Sequence, residues 1–303
     1  MLKKNLNNRL AELAAASQGP AKAAPVLTAL RATVRRAAPT PAPKVAPAPQ
    51  PVKKPTLAGL GKAVVRSAAG AAGAGERVIN AMIDAWSYSR LSDWRKCPRM
   101  AYYKHVLKMK EPVNKHTLRG IEVHKQAQDF VEGKLPSVPA ACSRFAAELT
   151  KLCKDKAVCE TEWAFGPDWS EQTWFAKLYR LLRVKTDVCA VYRKGAELHV
   201  VDHKTGRVNP DHEEQLSLYA TAAMVKYPSA EKVLTELWYH DSGEKVSQEF
   251  TREDLPGLKK YWEETTDAMF ADRAFQCKPG DACRFCWFRK ENPAPGAPRN
   301  CKY

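Results

Sequence analysis

Between Val184 and Val201 two runs rich in apolar, β-branched residues, Val184 to Tyr192 and Leu198 to Val201, flank the turn-former pair Lys194-Gly195. Val184, Val188 and Val191 before the pair, and Leu198, Val200 and Val201 after it, predict an antiparallel hairpin in a buried sheet. The register set by a turn at Lys194-Gly195 puts Asp187 directly opposite Asp202, with β-carbons ~5 Å apart on one face. Lys204 projects from that face too, because side chains two apart along a strand point the same way.

Other patterns predict the elements around this hairpin. Asn209-Pro210-Asp211 starts a helix, with Glu214 as the capping-box partner of Asp211, and Gln215 and Tyr219 share one helix face. A second helix runs through Thr117 to His124, and His124 is flanked on its face by Ile121, Ala127 and Val131. Glu160 and Glu162 alternate with Cys159, Thr161 and Trp163 in a strand; a solvated edge and a reach toward the hairpin's carboxylates are both open to them. Val233 to Tyr239 and Glu244 to Phe250 form a second hairpin across Asp241-Ser242-Gly243. A last helix spans Asp254 to Phe270, with Leu255, Leu258, Trp262 and Met269 inward. Ser87-Tyr88-Ser89 leads a short helix through Leu91 and Trp94 that stops at Cys97-Pro98, and another restarts at Pro98. Mixed in this order, the elements predict an α/β fold: a short mixed sheet with helices on both faces.

Composition changes the picture at the N-terminus. Residues 1–80 hold thirteen Lys or Arg against two Glu, a net charge of +11 out of +16 for the 303-residue chain, with nine prolines and no aromatic residue. Such a segment cannot bury enough apolar surface to offset its ordering entropy, so it is expected to be a disordered basic Ala/Pro-rich arm and linker. The folded domain is expected over residues 86–303. For the arm three roles stand: a solvated basic tether, a salt-dependent attraction to nucleic acid, and an Arg- and Ala-rich mitochondrial transit segment; recruitment of a protein partner through it is also open. No run of about eighteen apolar residues exists, which argues against a membrane span and for a cytoplasmic protein.

Two like charges forced together in a buried sheet need a cation between them, and paired carboxylates with an adjacent lysine make a hydrolytic divalent-metal site. The alternative is a surface hairpin in which Lys204 neutralises Asp202. With His124, Asp187, the Asp202-His203-Lys204 triplet and the Gln215/Tyr219 pair in this order, the chain resembles the PD-(D/E)xK nuclease superfamily, and within it the RecB-like branch of phage and CRISPR-associated exonucleases. One position departs: Val184 stands where that branch often has glycine, three residues before the first aspartate.

The resemblance implies a restriction-endonuclease-like core and metal-dependent hydrolysis of DNA. In that reading Asp187, Asp202, the His203 backbone carbonyl and His124 hold Mg²⁺ or Mn²⁺. Lys204 orients or deprotonates the attacking water, and Gln215 and Tyr219 brace the site or position the strand. Without that context a lone histidine on an apolar face is a core residue, and Tyr219 packs against the sheet.

Nine cysteines, an odd number, argue against a disulfide framework and for a reducing compartment. Cys142, Cys153, Cys159 and Cys189 fall in element patterns and read as small buried hydrophobes. Cys283-Arg284-Phe285-Cys286 is a CxxC pair, Cys301 follows near the end, and Cys97 stands far upstream. Related exonucleases hold a [4Fe–4S] cluster with one cysteine before the core and three after it, which implies Cys97, Cys283, Cys286 and Cys301 as ligands. Cys277 is the alternative fourth ligand, zinc the alternative metal, and an unmetallated tail the remaining possibility. Around the first helices Lys96, Arg99, Lys104, Lys108 and Lys110 interleave with Trp94, Tyr102 and Tyr103, as in a strand-binding groove or as in an amphipathic pair whose tyrosines are core.

The expected activity is that of a DNA exonuclease acting on single strands or ends in recombination, repair or phage genome processing. The rivals are a catalytically silent DNA-binding or scaffold module of the same fold and a structure-specific endonuclease.

Overall fold

The computed structural model describes residues 83–289 and Cys301. The basic arm at residues 1–80, its disorder and its linker all lie outside the described residues.

A six-stranded mixed sheet carries the fold. In chain order the elements are β1 (Ala85–Trp86), α1 (Tyr88–Lys96), α2 (Pro98–Ala101), α3 (Lys115–Val131), α4 (Ala146–Lys154), β2 (Val158–Phe165), β3 (Leu181–Tyr192) and β4 (Glu197–Lys204). They continue with α5 (Glu213–Lys226), β5 (Lys232–Tyr239), β6 (Glu244–Thr251) and α6 (Leu255–Ala271). β2 runs antiparallel along one edge of β3, from Val158 opposite Cys189 to Phe165 opposite Leu182. The other edge of β3 is shared. β1 pairs with it in parallel at Leu181 and Leu182, and β4 pairs antiparallel from Val188 opposite Val201 to Tyr192 opposite Glu197. Residues 183–187 of that edge carry neither strand, and this gap holds the candidate site. β5 then adds parallel to β4, and β6 antiparallel to β5.

The predicted hairpin forms in the predicted register, but its connection is longer than the Lys194-Gly195 pair alone. A tight 3₁₀ turn over Arg193–Gly195 joins the strands, with Lys194 at φ 57° and Gly195 at φ 92°. At Gly195 a β-carbon would meet the Ser229 hydroxyl at 3.0 Å, so this position needs glycine for space as well as for conformation.

Strand alternation divides the core. Val188, Ala190, Val201 and Trp238 face α3 and α4, where Val123, Ala127, Phe145, Leu149 and Leu152 bury against them. Cys189, Leu198, Val200 and Val233 face α5, where Leu218, Ala222 and Ala223 meet the sheet; Trp262 and Met269 of α6 belong to the same core. Every residue of α5 from Leu218 to Met224 is buried. That explains its lack of amphipathic period: it lies between the sheet and α6, and a helix buried on all sides reads as apolar on all sides. Each fully buried aliphatic or aromatic side chain here contributes about 1.5–3 kcal/mol of transfer free energy.

Two local expectations are corrected, and one open alternative is decided. Glu214 forms no capping box with Asp211: Asn209 caps a single 3₁₀ turn by accepting from the Asp211 amide, and Glu214 instead pairs with Arg95 and Tyr261. The helix of His124 begins at Lys115 with Asn114 as its cap, and Ile121 is 60% exposed rather than beside a buried His124 face. Tyr102 and Tyr103 are buried against Phe275 and Phe288, and Trp94 donates to Asp272, so the aromatics of this segment are core and not a stacking platform.

Candidate active site at the gap in the sheet

Asp187 and Asp202 occupy the first positions beyond the last paired rung of β3 and β4, Val188 opposite Val201. The strands part there, and the amide of His203 turns to donate to Asp187 Oδ2 at 2.7 Å. N–H and C=O of one residue in a strand point to the same edge, so the His203 carbonyl also faces the gap. His124 reaches in from α3, its Nδ1 3.3 Å from Asp187 Oδ2. Lys204 Nζ lies 2.6 Å from Asp202 Oδ2 and donates to Gln215 Oε1 at 3.0 Å. Gln215 Nε2 donates to the Tyr219 hydroxyl at 2.7 Å, and that hydroxyl donates to Asp202 Oδ1. All six side chains singled out from the sequence, with the backbone of His203, therefore form one connected network.

The electrostatics follow from burial. Desolvation and then the neighbouring Asp202 raise the Asp187 carboxyl above its ordinary value, a tendency that His124 and the His203 amide only partly oppose. Burial pushes Lys204 down, but Asp202 and Asp187 outweigh it and hold the side chain as an ammonium. His124 shows the same balance, with burial lowering its affinity for a proton and Asp187 raising it further. The Tyr219 phenol is raised well above its usual range by burial and by Asp202, so it stays a donor.

Sequence reading missed the histidine pair behind this centre. His203 Nδ1 and His240 Nε2 lie 3.0 Å apart, and Phe145 packs edge-on to His240. Burial drives His203 well below its ordinary value and His240 to about 4, so both are neutral imidazoles. The pattern offered no signal for His240, because it lies one residue past β5 and enters only through the parallel β4–β5 pairing. Glu160, at φ 56° in β2, pairs with Lys185.

Would these residues hold a cation? Asp202 Oδ2 is buried, and its partner is the Lys204 ammonium at 2.6 Å. Two carboxylates and a main-chain carbonyl suit a hard divalent ion. Among the described residues no group of three or more His, Cys, Asp or Glu side chains is already arranged as a ligand set. In this state Lys204 does the neutralising that a bound ion would take over.

A family model of the PD-(D/E)XK nuclease superfamily matches residues 85–290, from β1 to beyond the CxxC pair. The chain belongs to the PD-(D/E)XK nuclease superfamily. Its mixed sheet flanked by helices is the restriction-endonuclease-like core expected of a PD-(D/E)XK nuclease, and nucleases of this superfamily usually use Mg²⁺ or Mn²⁺. No curated protein sequence matches the chain. Among solved structures, the crystal structure of SSO0001 is 17% identical, with 71% of this chain and 87% of that one covered and a TM-score of 0.34. A protein named "Putative exonuclease" from Eubacterium rectale is 10% identical, with 67% and 88% covered and a TM-score of 0.39. Neither likeness adds to the assignment at such scores.

The cysteines divide as their patterns suggest. Cys142, Cys159 and Cys189 are buried, and Cys153 is half-buried. Cys97, Cys277, Cys283, Cys286 and Cys301 all line one small cavity at the C-terminal end of the described chain. Cys277 Sγ lies 3.8 Å from Cys301 Sγ, and the Lys278 amide donates to Cys97 Sγ at 3.5 Å. Burial and then Cys301 push the Cys277 thiol up to about 11. Among the described residues no helix is long and apolar enough to cross a membrane.

Proposed function

We propose that this PD-(D/E)XK nuclease is a metal-dependent DNA exonuclease of the RecB-like type, acting on single strands or DNA ends. The observation that carries this reading is the network joining Asp187, Asp202, Lys204, Gln215, Tyr219 and His124 in a gap of the sheet.

Asp187, Asp202 and the His203 carbonyl would hold Mg²⁺ or Mn²⁺, with His124 as a nitrogen donor that favours Mn²⁺. Bound there, the ion would supply a Lewis acid for the phosphodiester and its attacking water. The protein's part is to prepare the site. Lys204, held as an ammonium, donates to the water and to the phosphate oxygen that gains charge, and Gln215 fixes its direction. Tyr219 fixes the Asp202 carboxylate by donating to Oδ1, and a bound cation would take over Oδ2 from Lys204. Neutral His203 and His240 back the His203 main chain with no further positive charge.

The five-cysteine cavity supports a [4Fe–4S] cluster on Cys97, Cys283, Cys286 and Cys301, with Cys277 as an alternative ligand. Zinc would accept the same thiolates. Such a group would tie α1 to the C-terminal segment, and its thiols suit a reducing, cytoplasmic setting.

Exonuclease action is tested with closed circular DNA beside the same molecule linearised. An exonuclease degrades only the linear form. Cleavage of the circle supports the structure-specific endonuclease reading instead.

A further inference from the structure

A cavity of about 280 Å³ opens beside the bare stretch of β3. Gln215 and Tyr219 form part of its wall, and these side chains also hold Lys204 and Asp202. The cavity therefore borders the candidate active site, although none of the motif residues predicted it.

Its chemistry is one-sided. Arg90, Arg183 and Lys185 line it, and no Asp or Glu does, although Lys185 is paired with Glu160 outside it. Arg90 donates to the Ala85 carbonyl at 2.7 Å, and Arg183 Nε donates to the Trp174 carbonyl at 2.8 Å. Each guanidinium is aimed by one backbone bond and keeps further donors, since arginine carries five N–H groups. Burial and then Arg183 lower the Arg90 affinity for its proton, with Asp84 opposing them, so the two guanidiniums repel across the wall. An anion between them would relieve that repulsion and accept from both. Ser87, Ser89 and the rest of the first turn of the nine-residue α1 also line the cavity, and that turn carries no acidic residue. Half-buried Trp174, over which Arg183 lies at 5.7 Å, offers an aromatic face for a base.

We propose that this cavity is a subsite for one nucleotide of a single strand beside the scissile bond, its phosphate between Arg90 and Arg183 and its base against Trp174. At about 280 Å³ the cavity sits at the lower end of small-ligand pockets, roughly 300–1,000 Å³, which suits one nucleotide and excludes a duplex. The strand would thus reach the carboxylates unpaired. This subsite rests on the nuclease reading for the identity of the strand, but binding there needs no cleavage.

The test uses the full-length protein in EDTA, with tryptophan fluorescence following thymidine 5′-monophosphate and thymidine. The monophosphate is expected to bind at least about tenfold more tightly than thymidine, with the difference shrinking as salt rises. Arg90→Gln and Arg183→Gln should each remove most of that preference, and Arg90→Lys should keep part of it. The comparison on wild-type protein needs no variant, so misfolding of an arginine variant cannot mask the outcome. Equal binding of the two compounds, or a phosphate preference intact in both glutamine variants, overturns the subsite. If the monophosphate binds through both arginines while the protein cuts no DNA with any metal, the nuclease reading fails and the subsite stands. If DNA is cut but the phosphate is not discriminated, the reverse holds.

Discussion

The Tyr219 hydroxyl donates to Asp202 Oδ1 from a helix on one face of the sheet, while Lys204 lies 2.6 Å from Oδ2 of the same carboxylate. One buried carboxylate is thus held from two directions, and Gln215 ties the two holders together. Removing the phenol's donor with Tyr219→Phe should cost about 1–2 kcal/mol of stability, the usual penalty for a buried acceptor losing its partner. It should lower kcat roughly tenfold with little change in KM, measured beside a thermal melt. A kcat equal to wild type would confine Tyr219 to packing.

Asp187 is expected to cost stability in the metal-free protein. Burial and Asp202 raise its folded pKa above the unfolded value, so its charge destabilises the fold at pH values above the carboxylate range. Asp187→Asn should therefore melt no lower than wild type in EDTA while losing at least about 10³-fold in cleavage rate. A clearly lower melting temperature would mean that the His124 and His203 contacts outweigh the repulsion.

Divalent metal should raise the melting temperature of wild type, because a cation relieves the same repulsion and binds only the folded state. Asp202→Asn should remove that rise. The check is a melt across Mg²⁺ and Mn²⁺ concentrations for both proteins, with Mn²⁺ acting at lower concentration. An equal rise in the variant would place the ion elsewhere.

Loss of the C-terminal thiols should act separately from catalysis. Cys283→Ser is expected to lose the visible absorbance of anaerobically purified protein and to lower its melting temperature. Unchanged colour and stability would refute the cluster.

Away from the site, Glu236 gives a pH signature. It is 3% exposed and accepts from His199, Trp238 and Ser247; burial alone would raise its pKa, but His199, Lys245 and Ser247 lower it to about 2. A depressed carboxylate pKa contributes stability above the unfolded value of 4.5. That contribution, on the order of 3 kcal/mol, is lost as pH falls from there to about 2. Glu236→Gln should flatten the acid limb of the denaturation curve in this window, and an unchanged limb would count against the network's charge.

The register of β3 and β4 was legible because two strand-forming runs flank one turn-former pair, and centring the hairpin on that pair puts Asp187 opposite Asp202. Gln215 and Tyr219 were legible by helix spacing. The gap that exposes the site was not, because it depends on β1, only Ala85 and Trp86, pairing in parallel with the far end of β3. Two residues carry no period. Arg183 lies in that same stretch of β3, and Trp174 enters through the loop before it, whose path the pattern does not encode. Tyr102 and Tyr103 stayed open for a different reason: interleaved lysines mark a solvated face as readily as a binding one, and only the partners Phe275 and Phe288 decide between them.

The central claim is that Asp187 and Asp202 form a metal-dependent nuclease centre. The most direct test is the degradation of end-labelled linear single- and double-stranded DNA by anaerobically purified full-length protein with Mg²⁺, Mn²⁺ or EDTA, with Asp202→Asn alongside. The expected result is progressive loss of the single strand with either metal, and none in EDTA or with the variant. A folded wild type that binds DNA and metal yet cuts neither substrate, or a variant that cuts as fast as wild type, would contradict it.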